Sequence, residues 1–560
     1  MKAKKVLCLL LAMVLTLGLC GSALAAGTPE VTAAASNDIV ILYTNDVHCA
    51  VDDSIGYAGL AAYKADMQKT TPYVTLVDAG DAIQGGILGT LSKGSYIVDI
   101  MNKVGYNVAV PGNHEFDYGM SRFLSLAKTQ KAGYVCCNFI NLKTGKPVFN
   151  SYKMIAYGDV KVAYVGIGTP ESISKSTPTY FQDKKGNYIY GFLPENDGKD
   201  LYAAVQKAVD DAKAAGATYV VAVGHCGTDT QSKPWRSTDI IANVSGLAAF
   251  IDAHSHSTIP QQNVTDKDGK TVILTSSGTK LAAIGKVVIT ADGKVTSELV
   301  KDYKAKDAAV TAYIDKIKSK NQALLNTVVA RSSVALTTLD ANKDRAVRNQ
   351  ETNLGDLSAD AYRAVGKADI GWVNGGGVRA DIAVGKITYG DIINVFPFNN
   401  ALCVVEATGQ QIIDALEMAA RVCPDENGGF LQVSGIQFTI DTRIASTVNL
   451  DSNKMFVSVG GQRRVKDVQV MNKAGAYEPI VLDKTYTVAS HDYMLKNGGD
   501  GINMFQKNKF LKDSVMLDNQ VLITYIVTNL KGVIPARYAE PDGRITILGV
   551  AAAAASEKAA

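Results

Sequence analysis

The sequence predicts an α/β protein of two large domains, and three observations predict it. Its 560 residues exceed what one hydrophobic core organises, since chains beyond roughly 250–300 residues divide into domains. Short β-branched, apolar runs recur through the first half, each followed by a polar turn. Amphipathic segments such as 201–215 alternate with them, as helices covering a sheet do. A composition of 47% hydrophobic and 20% charged residues is that of a globular protein and excludes a disordered or fibrous chain.

The runs fall in a regular order. Residues 39–43 lead into TNDVH at 44–48, and 73–77 into DAGD at 78–81. Residues 107–110 lead into PGNHEFD at 111–117, 219–223 into Gly224 and His225, and 248–251 into DAHSH at 252–256. Continuous apolar runs read as strands buried on both faces. The polar residues therefore gather just beyond strand C-terminal ends, where layered α/β folds place their ligands.

The N-terminus reads as an export signal. Lys2, Lys4 and Lys5 precede an apolar run over 6–19 that is too short for a comfortable membrane span, and Ala23-Leu24-Ala25 offers a cleavage site. Leu19 is a poor residue before Cys20, which disfavours a lipid anchor. Cleavage removes three of the 57 basic residues and leaves 54 against 54 acidic ones, so the formal net charge falls from +3 to zero. That balance excludes a protein that coats a nucleic-acid polymer or a membrane surface by charge. No second stretch is long and apolar enough to span a bilayer. The expected product is secreted, at the cell surface or in a periplasm. Eight cysteines are present, two of them in the leader. The other six show no zinc-knuckle spacing, and export permits a disulfide without specifying one.

The expected divisions are a leader over 1–25, a first domain over 38–305, a connecting helix over 306–327, a second α/β domain over 328–550 and a disordered Ala-rich tail over 551–560. The second domain holds Gly-rich loops at NGGGVR (374–379) and NGGDG (497–501). NGGGVR lacks the Lys-Ser/Thr ending of a P-loop. Its glycines let backbone approach a ligand closely, and Arg379 can grip a phosphate with two donors.

Histidine placement carries the chemistry. The chain has six histidines, and five of them, His48, His114, His225, His254 and His256, follow those strands directly. Asp46, Asp81, Asn113 and Asp117 accompany them. The pairs Asp46/His48 and His254/His256 are each two residues apart, which in extended backbone aims both side chains to one face. Imidazole and carboxylate suit zinc, manganese or a similar divalent ion. About seven candidate ligands fit two ions sharing a bridging carboxylate better than one closed structural site.

The ordered series TNDVH, GDAIQG, GNHEFDYG, GHCGTD and DAHSH resembles the motifs of the calcineurin-like metallophosphoesterases. GNHEFD joined to a second domain with NGGGVR and NGGDG is similar to the bacterial 5′-nucleotidase family. The resemblance covers nearly the whole mature chain. It implies an N-terminal four-layer αββα metallophosphoesterase sandwich followed by a second α/β substrate-binding domain. It further implies that Asp46, His48 and His256 hold one metal, that Asn113, His225 and His254 hold the other, and that Asp81 bridges them. His256 stands where some relatives have glutamine. His114 would stabilise charge on the phosphoryl group, oriented by Asp117. Arg348, Asn374 and Arg379 would take the phosphate, Phe398 would stack on the base, and Asp500 would accept from ribose hydroxyls. There are two departures. Asp344, next to Arg345, stands where some relatives have arginine. Met494 stands where a second aromatic is usual, so that either Met494 or the adjacent Tyr493 caps the base. His491 has no role in the resemblance and reads as structural.

The implied activity is hydrolysis of nucleoside monophosphates to nucleoside and phosphate by metal-activated water, with nucleotide-sugar pyrophosphates as a further substrate class. The alternatives are a 2′,3′-cyclic-nucleotide 2′-phosphodiesterase/3′-nucleotidase, a hydrolase of sulfur esters and, from another class, a non-catalytic extracellular nucleotide-binding protein. The phosphate-directed Arg348 and Arg379 argue against sulfur esters.

Overall fold

The strand Ile39–Thr44 shows how the first half is built. Its odd residues Ile39, Ile41 and Tyr43 pack with Val162, Tyr164, Val221 and Ile251. Its even residues Val40 and Leu42 pack with Leu60, Ile97 and Ile314. Side chains alternate between the faces of a strand, so both faces are buried and the run reads as continuously apolar. The computed structural model describes residues 37–549. The expected leader over 1–25 and tail over 551–560 lie outside the described residues.

Two sheets lie face to face. The first runs Val295–Val300, Ile284–Ile289, Ile39–Thr44, Val74–Asp78 and Val108–Ala109, with the last three strands mutually parallel. The second runs Thr258–Thr265, Thr271–Ser277, Ala249–Ile251, Tyr219–His225, Val160–Gly168 and Tyr152–Tyr157. Its four central strands are parallel and its two edges antiparallel. Tyr43 Oη meets Thr275 Oγ1 at 2.6 Å across the interface between the sheets. Helices Gly56–Thr70 and Ser95–Val104 cover the outer face of the first sheet. Helices Lys199–Ala214 and Ser237–Asn243 cover that of the second. This is the four-layer αββα arrangement. All the parallel strands end at one rim.

The helix Ala308–Leu325 is capped by Asp307, whose side chain accepts from Val310 N–H at 2.7 Å. Its buried residues Val310, Ile314 and Ile317 form one stripe against the first helical layer. Just beyond its far end, the Thr327 carbonyl accepts from Tyr389 N–H at 2.8 Å. It is thus packed into the first half and joined to the second.

The second half centres on a mixed sheet of Leu431–Ser434, Ile370–Asn374, Thr485–His491, Leu402–Thr408 and Phe510–Lys512. Helix Asn353–Gly366 covers one face through Leu354, Leu357 and Tyr362. Helix Gly409–Ala420 covers the other through Ile412, Ala415 and Leu416. The strand Ile545–Leu548 returns to pair in parallel with Ile436–Asp441. Among the described residues, no helix is long and apolar enough to cross a membrane.

Candidate metal centre and substrate cavity

The rim of the two sheets gathers the predicted ligands. Asp46, His48, Asp81 and Asn113 follow strands of the first sheet, while His225, His254 and His256 end or follow strands of the second. The paired ligands converge by a different route from the one their spacing predicts. The strands stop at Thr44 and Ile251, and beyond them the backbone is not extended. Asp46, His48, His254 and His256 have φ of 49°, 47°, 78° and 55°, and Asp81 has 58°. Left-handed backbone is uncommon for residues other than glycine and concentrates at functional sites. Tight turns, not strand alternation, aim these side chains inward. Gly112 is required beside them, because a Cβ there would lie 2.2 Å from Asp81 Oδ1 and 2.7 Å from His225 Cε1.

Two triads form: Asp46, His48 and His256, and Asp46, Asp81 and His225. His48 Nε2 lies 3.0 Å from His256 Nε2, and His256 Nε2 lies 3.7 Å from Asp46 Oδ1. Asp81 Oδ2 stands 3.2 Å from His225 Nε2 and 3.9 Å from His48 Nε2, and so lies between the two groups. Asn113 Oδ1 lies 3.2 Å from His225 Nε2 and 2.9 Å from His254 Nδ1. The donor chemistry fits divalent cations. His48 Nδ1 donates to the Gln84 carbonyl at 3.1 Å and His225 Nδ1 to that of Ala79 at 2.9 Å. Each Nε2 lone pair is therefore turned toward the carboxylate oxygens, and a space lined by acceptors calls for a cation.

Electrostatics point the same way. Burial would lower the pKa of His225, but the carboxylates of Asp81 and Asp46 raise it to about 10, so the surroundings favour positive charge. Burial raises Asp46 to about 6. Burial and the Arg379 guanidinium hold His48 well below the usual imidazole range. The buried Glu115 carboxylate, raised to about 7 chiefly by burial, accepts from the N–H groups of Asp81, Ala82 and Gly112 at 2.8, 2.9 and 2.7 Å. It ties together the turns that carry Asp81 and Asn113.

His114 stands apart from the triads. Its Nδ1 meets Asp117 Oδ2 at 2.5 Å, which leaves Nε2 for a ligand. Burial opposes protonation of this ring, yet Asp117 and Asp81 outweigh it and raise the pKa. Ser176 Oγ donates to the other Asp117 oxygen at 2.9 Å and fixes the carboxylate.

The second half faces this centre across one cavity lined by Asp81, His114, Arg348, Arg379, Phe398 and Asp500. Arg348 Nε is buried without a protein partner, and burial followed by repulsion from Arg345 and Arg379 pushes its pKa well down. Arg379 makes a long bond of 3.4 Å to the Gly376 carbonyl. Arg345, beside the departure at Asp344, lines the cavity with both Nε and a terminal nitrogen on the Glu426 carboxylate. Asn374 is turned between His491 Nε2 (3.2 Å) and Asp500 Oδ2 (2.8 Å). Phe398 is half-buried and lies 5.7 Å from the His114 ring and 5.6 Å from the Arg379 guanidinium, whereas Phe396 belongs to the core. Met494 is fully buried in the core of the second half, so it does not cap a base. Tyr493 reaches the cavity instead, with its hydroxyl donating to the Ser174 carbonyl at 3.3 Å and accepting from Asp500 N–H at 3.1 Å. Cys49 and Cys226 are buried free thiols.

Glu171, Lys175 and Ser176 belong to the site, although the sequence pattern does not single them out. All three follow the strand Val160–Gly168, the rim position of the other ligands, in the segment TPESISKS at 169–176. That position was the available signal, and the segment's lack of histidine concealed it.

Comparison with known proteins identifies both halves of the chain. The sequence model of the calcineurin-like phosphoesterases matches residues 39–258, and that of the 5′-nucleotidase C-terminal domain matches 328–507. The trifunctional nucleotide phosphoesterase protein YfkN of Bacillus subtilis is 27% identical over 86% of this chain, which spans only 33% of that longer protein. The 5′-nucleotidase of Bos taurus is 27% identical over 91% of this chain and 90% of its own. The solved 5′-nucleotidase precursor of Thermus thermophilus shares the fold, with a TM-score of 0.76, 24% identity and coverage of 91% of this chain and 99% of that one. The chain carries both domains in order, and it therefore belongs to the 5′-nucleotidase family of metallophosphoesterases and is a metal-dependent phosphoester hydrolase.

Proposed function

We propose that this protein is a secreted 5′-nucleotidase that converts nucleoside monophosphates to nucleoside and phosphate, with nucleotide-sugar pyrophosphates as a further substrate class. The observation that carries this reading is the pair Arg348 and Arg379. Two half-buried guanidinium groups with donors to spare face an acceptor-lined metal centre across one cavity. An anion with its charge divided between the two walls satisfies both. A bidentate guanidinium contact is suited to phosphate oxygens.

Asp46, His48 and His256 would hold one ion and Asn113, His225 and His254 the other, with Asp81 shared. Divalent ions such as zinc or manganese supply Lewis acidity toward phosphate oxygens and lower the pKa of water. The protein's own residues supply the rest. Arg348 and Arg379 orient the phosphoryl group. His114, held by Asp117, donates from Nε2 where negative charge develops, a contribution of about 10²–10³ in rate for groups of this type. Phe398 and Tyr493 offer flat faces to a base, and Asp500 is placed to accept from hydroxyls of a ribose. The basic, apolar leader supports export.

Incubation of the metal-loaded protein with AMP, UDP-glucose and 2′,3′-cyclic AMP tests this reading. The expected result is rapid phosphate release from AMP, reduced about 10²–10³-fold in His114→Ala. Opening of the cyclic ester with AMP untouched would move the protein to the cyclic phosphodiesterases. Binding of AMP without turnover, with both ions loaded, would make it a nucleotide-binding protein.

A further inference from the structure

We propose that Glu171 is a positioning residue of the metal centre, which fixes the tautomer and ring orientation of His254. His254 has one ring nitrogen on each side of this question. Its Nδ1 lies 2.9 Å from Asn113 Oδ1, the oxygen that also approaches His225 Nε2. Its Nε2 lies 3.1 Å from Glu171 Oε2. A carboxylate can only accept, so the proton sits on Nε2 and the Nδ1 lone pair is left for the ion.

The contrast with two neighbouring rings sharpens the assignment. His48 and His225 present Nε2 inward and rest Nδ1 on backbone carbonyls. His254 is reversed, with Nδ1 inward, and the acceptor behind it is a side chain. Its backbone, in the left-handed region at φ 78°, is tethered through its N–H to Asp46 Oδ2 at 3.0 Å, but that bond leaves the ring free to turn. Glu171 supplies the missing constraint. It is 4% exposed, and the same Oε2 accepts from Ser232 Oγ at 2.6 Å, so the acceptor is itself held. Carboxylates behind ligating histidines raise ligand basicity, and their loss typically weakens metal affinity by about 10–100-fold.

The test is metal affinity, which is separate from turnover. The wild type and Glu171→Gln, an isosteric change, are stripped with chelator and titrated with Co²⁺ and Mn²⁺, while the Co²⁺ absorption bands and the melting temperature of the stripped proteins are followed. The expected result is that one of two ions binds about 10–100-fold more weakly in E171Q, with altered Co²⁺ bands and an unchanged melting temperature without metal. Equal affinities and spectra would overturn the proposal. So would equal weakening of both ions together with a lower melting temperature, because that is the signature of a merely structural role. The inference rests on His254 being a ligand. A wild type that binds fewer than two ions would remove that reading, and E171Q would then have no distinct ion to lose.

Discussion

His491 is a buried imidazole with no countercharge against it. Nε2–H donates to Asn374 Oδ1, which turns the Asn374 amide toward Asp500, while Nδ1 has no protein partner. Burial pushes its pKa from 6.5 to about 3. The folded value lies below the unfolded one, so the stability it contributes is complete above about 6.5 and is lost as pH falls toward about 3. The wild type should therefore lose urea resistance across that window more steeply than His491→Gln. Equal slopes in the two proteins would show that His491 does not titrate as described. At this scale the sequence was legible where a residue type was rare. Six histidines in 560 residues made five rim positions conspicuous. Glu171 and Ser176 were illegible because carboxylates and hydroxyls are common, and only the partner across space, His254 or Asp117, distinguishes them. The choice between Met494 and Tyr493, which the sequence left open, has a similar cause. The helix Asp492–Leu495 turns Met494 into the core and leaves Tyr493 half-buried beside the cavity, and spacing within a loop does not reveal that rotation.

Among the elements, strands were the more readable. A run apolar on both faces announces burial between layers, and 39–43 and 219–223 are such runs. What the pattern could not supply is the backbone just past each strand end. Extended alternation predicts convergent pairs, and the pairs do converge, but through left-handed turns that no periodicity encodes. The C-terminal strand Ile545–Leu548 depends on a different device. Arg544, 8% exposed, donates to the Val433 carbonyl at 2.7 Å and to Asp360 Oδ2 at 3.1 Å, and it pairs with Asp542 at 2.5 Å. Glu351 accepts from the N–H groups of Arg544 and Ile545. Removing one partner from a fully buried ionic network costs about 3–5 kcal/mol, and because Asp542 is half exposed and Asp360 partly so, the loss here is about 1–3 kcal/mol. Arg544→Met should lower stability by that order in urea and expose the C-terminal strand to protease before the rest of the chain. Cleavage at the wild-type rate would count against Arg544 as the anchor.

Across the whole molecule, the ligands do not come from one layer. Asp46, His48, Asp81 and Asn113 belong to turns of the first sheet, and His225, His254 and His256 to the second. Each triad draws on both sheets. Ions bound there would act as rivets between two slabs whose inner faces are otherwise held by apolar packing and a few bonds such as that from Tyr43 to Thr275. A ligand that binds only the folded state stabilises it in proportion to the logarithm of its concentration. The melting temperature should therefore rise continuously with the logarithm of the Mn²⁺ or Zn²⁺ concentration added to chelator-treated protein, with no substrate present. A melting temperature indifferent to metal would mean that no ion binds the folded state in preference to the unfolded chain. A protein fastened in this way carries its catalytic equipment and its mechanical seam at the same place, so metal scarcity would lower both its activity and its lifetime.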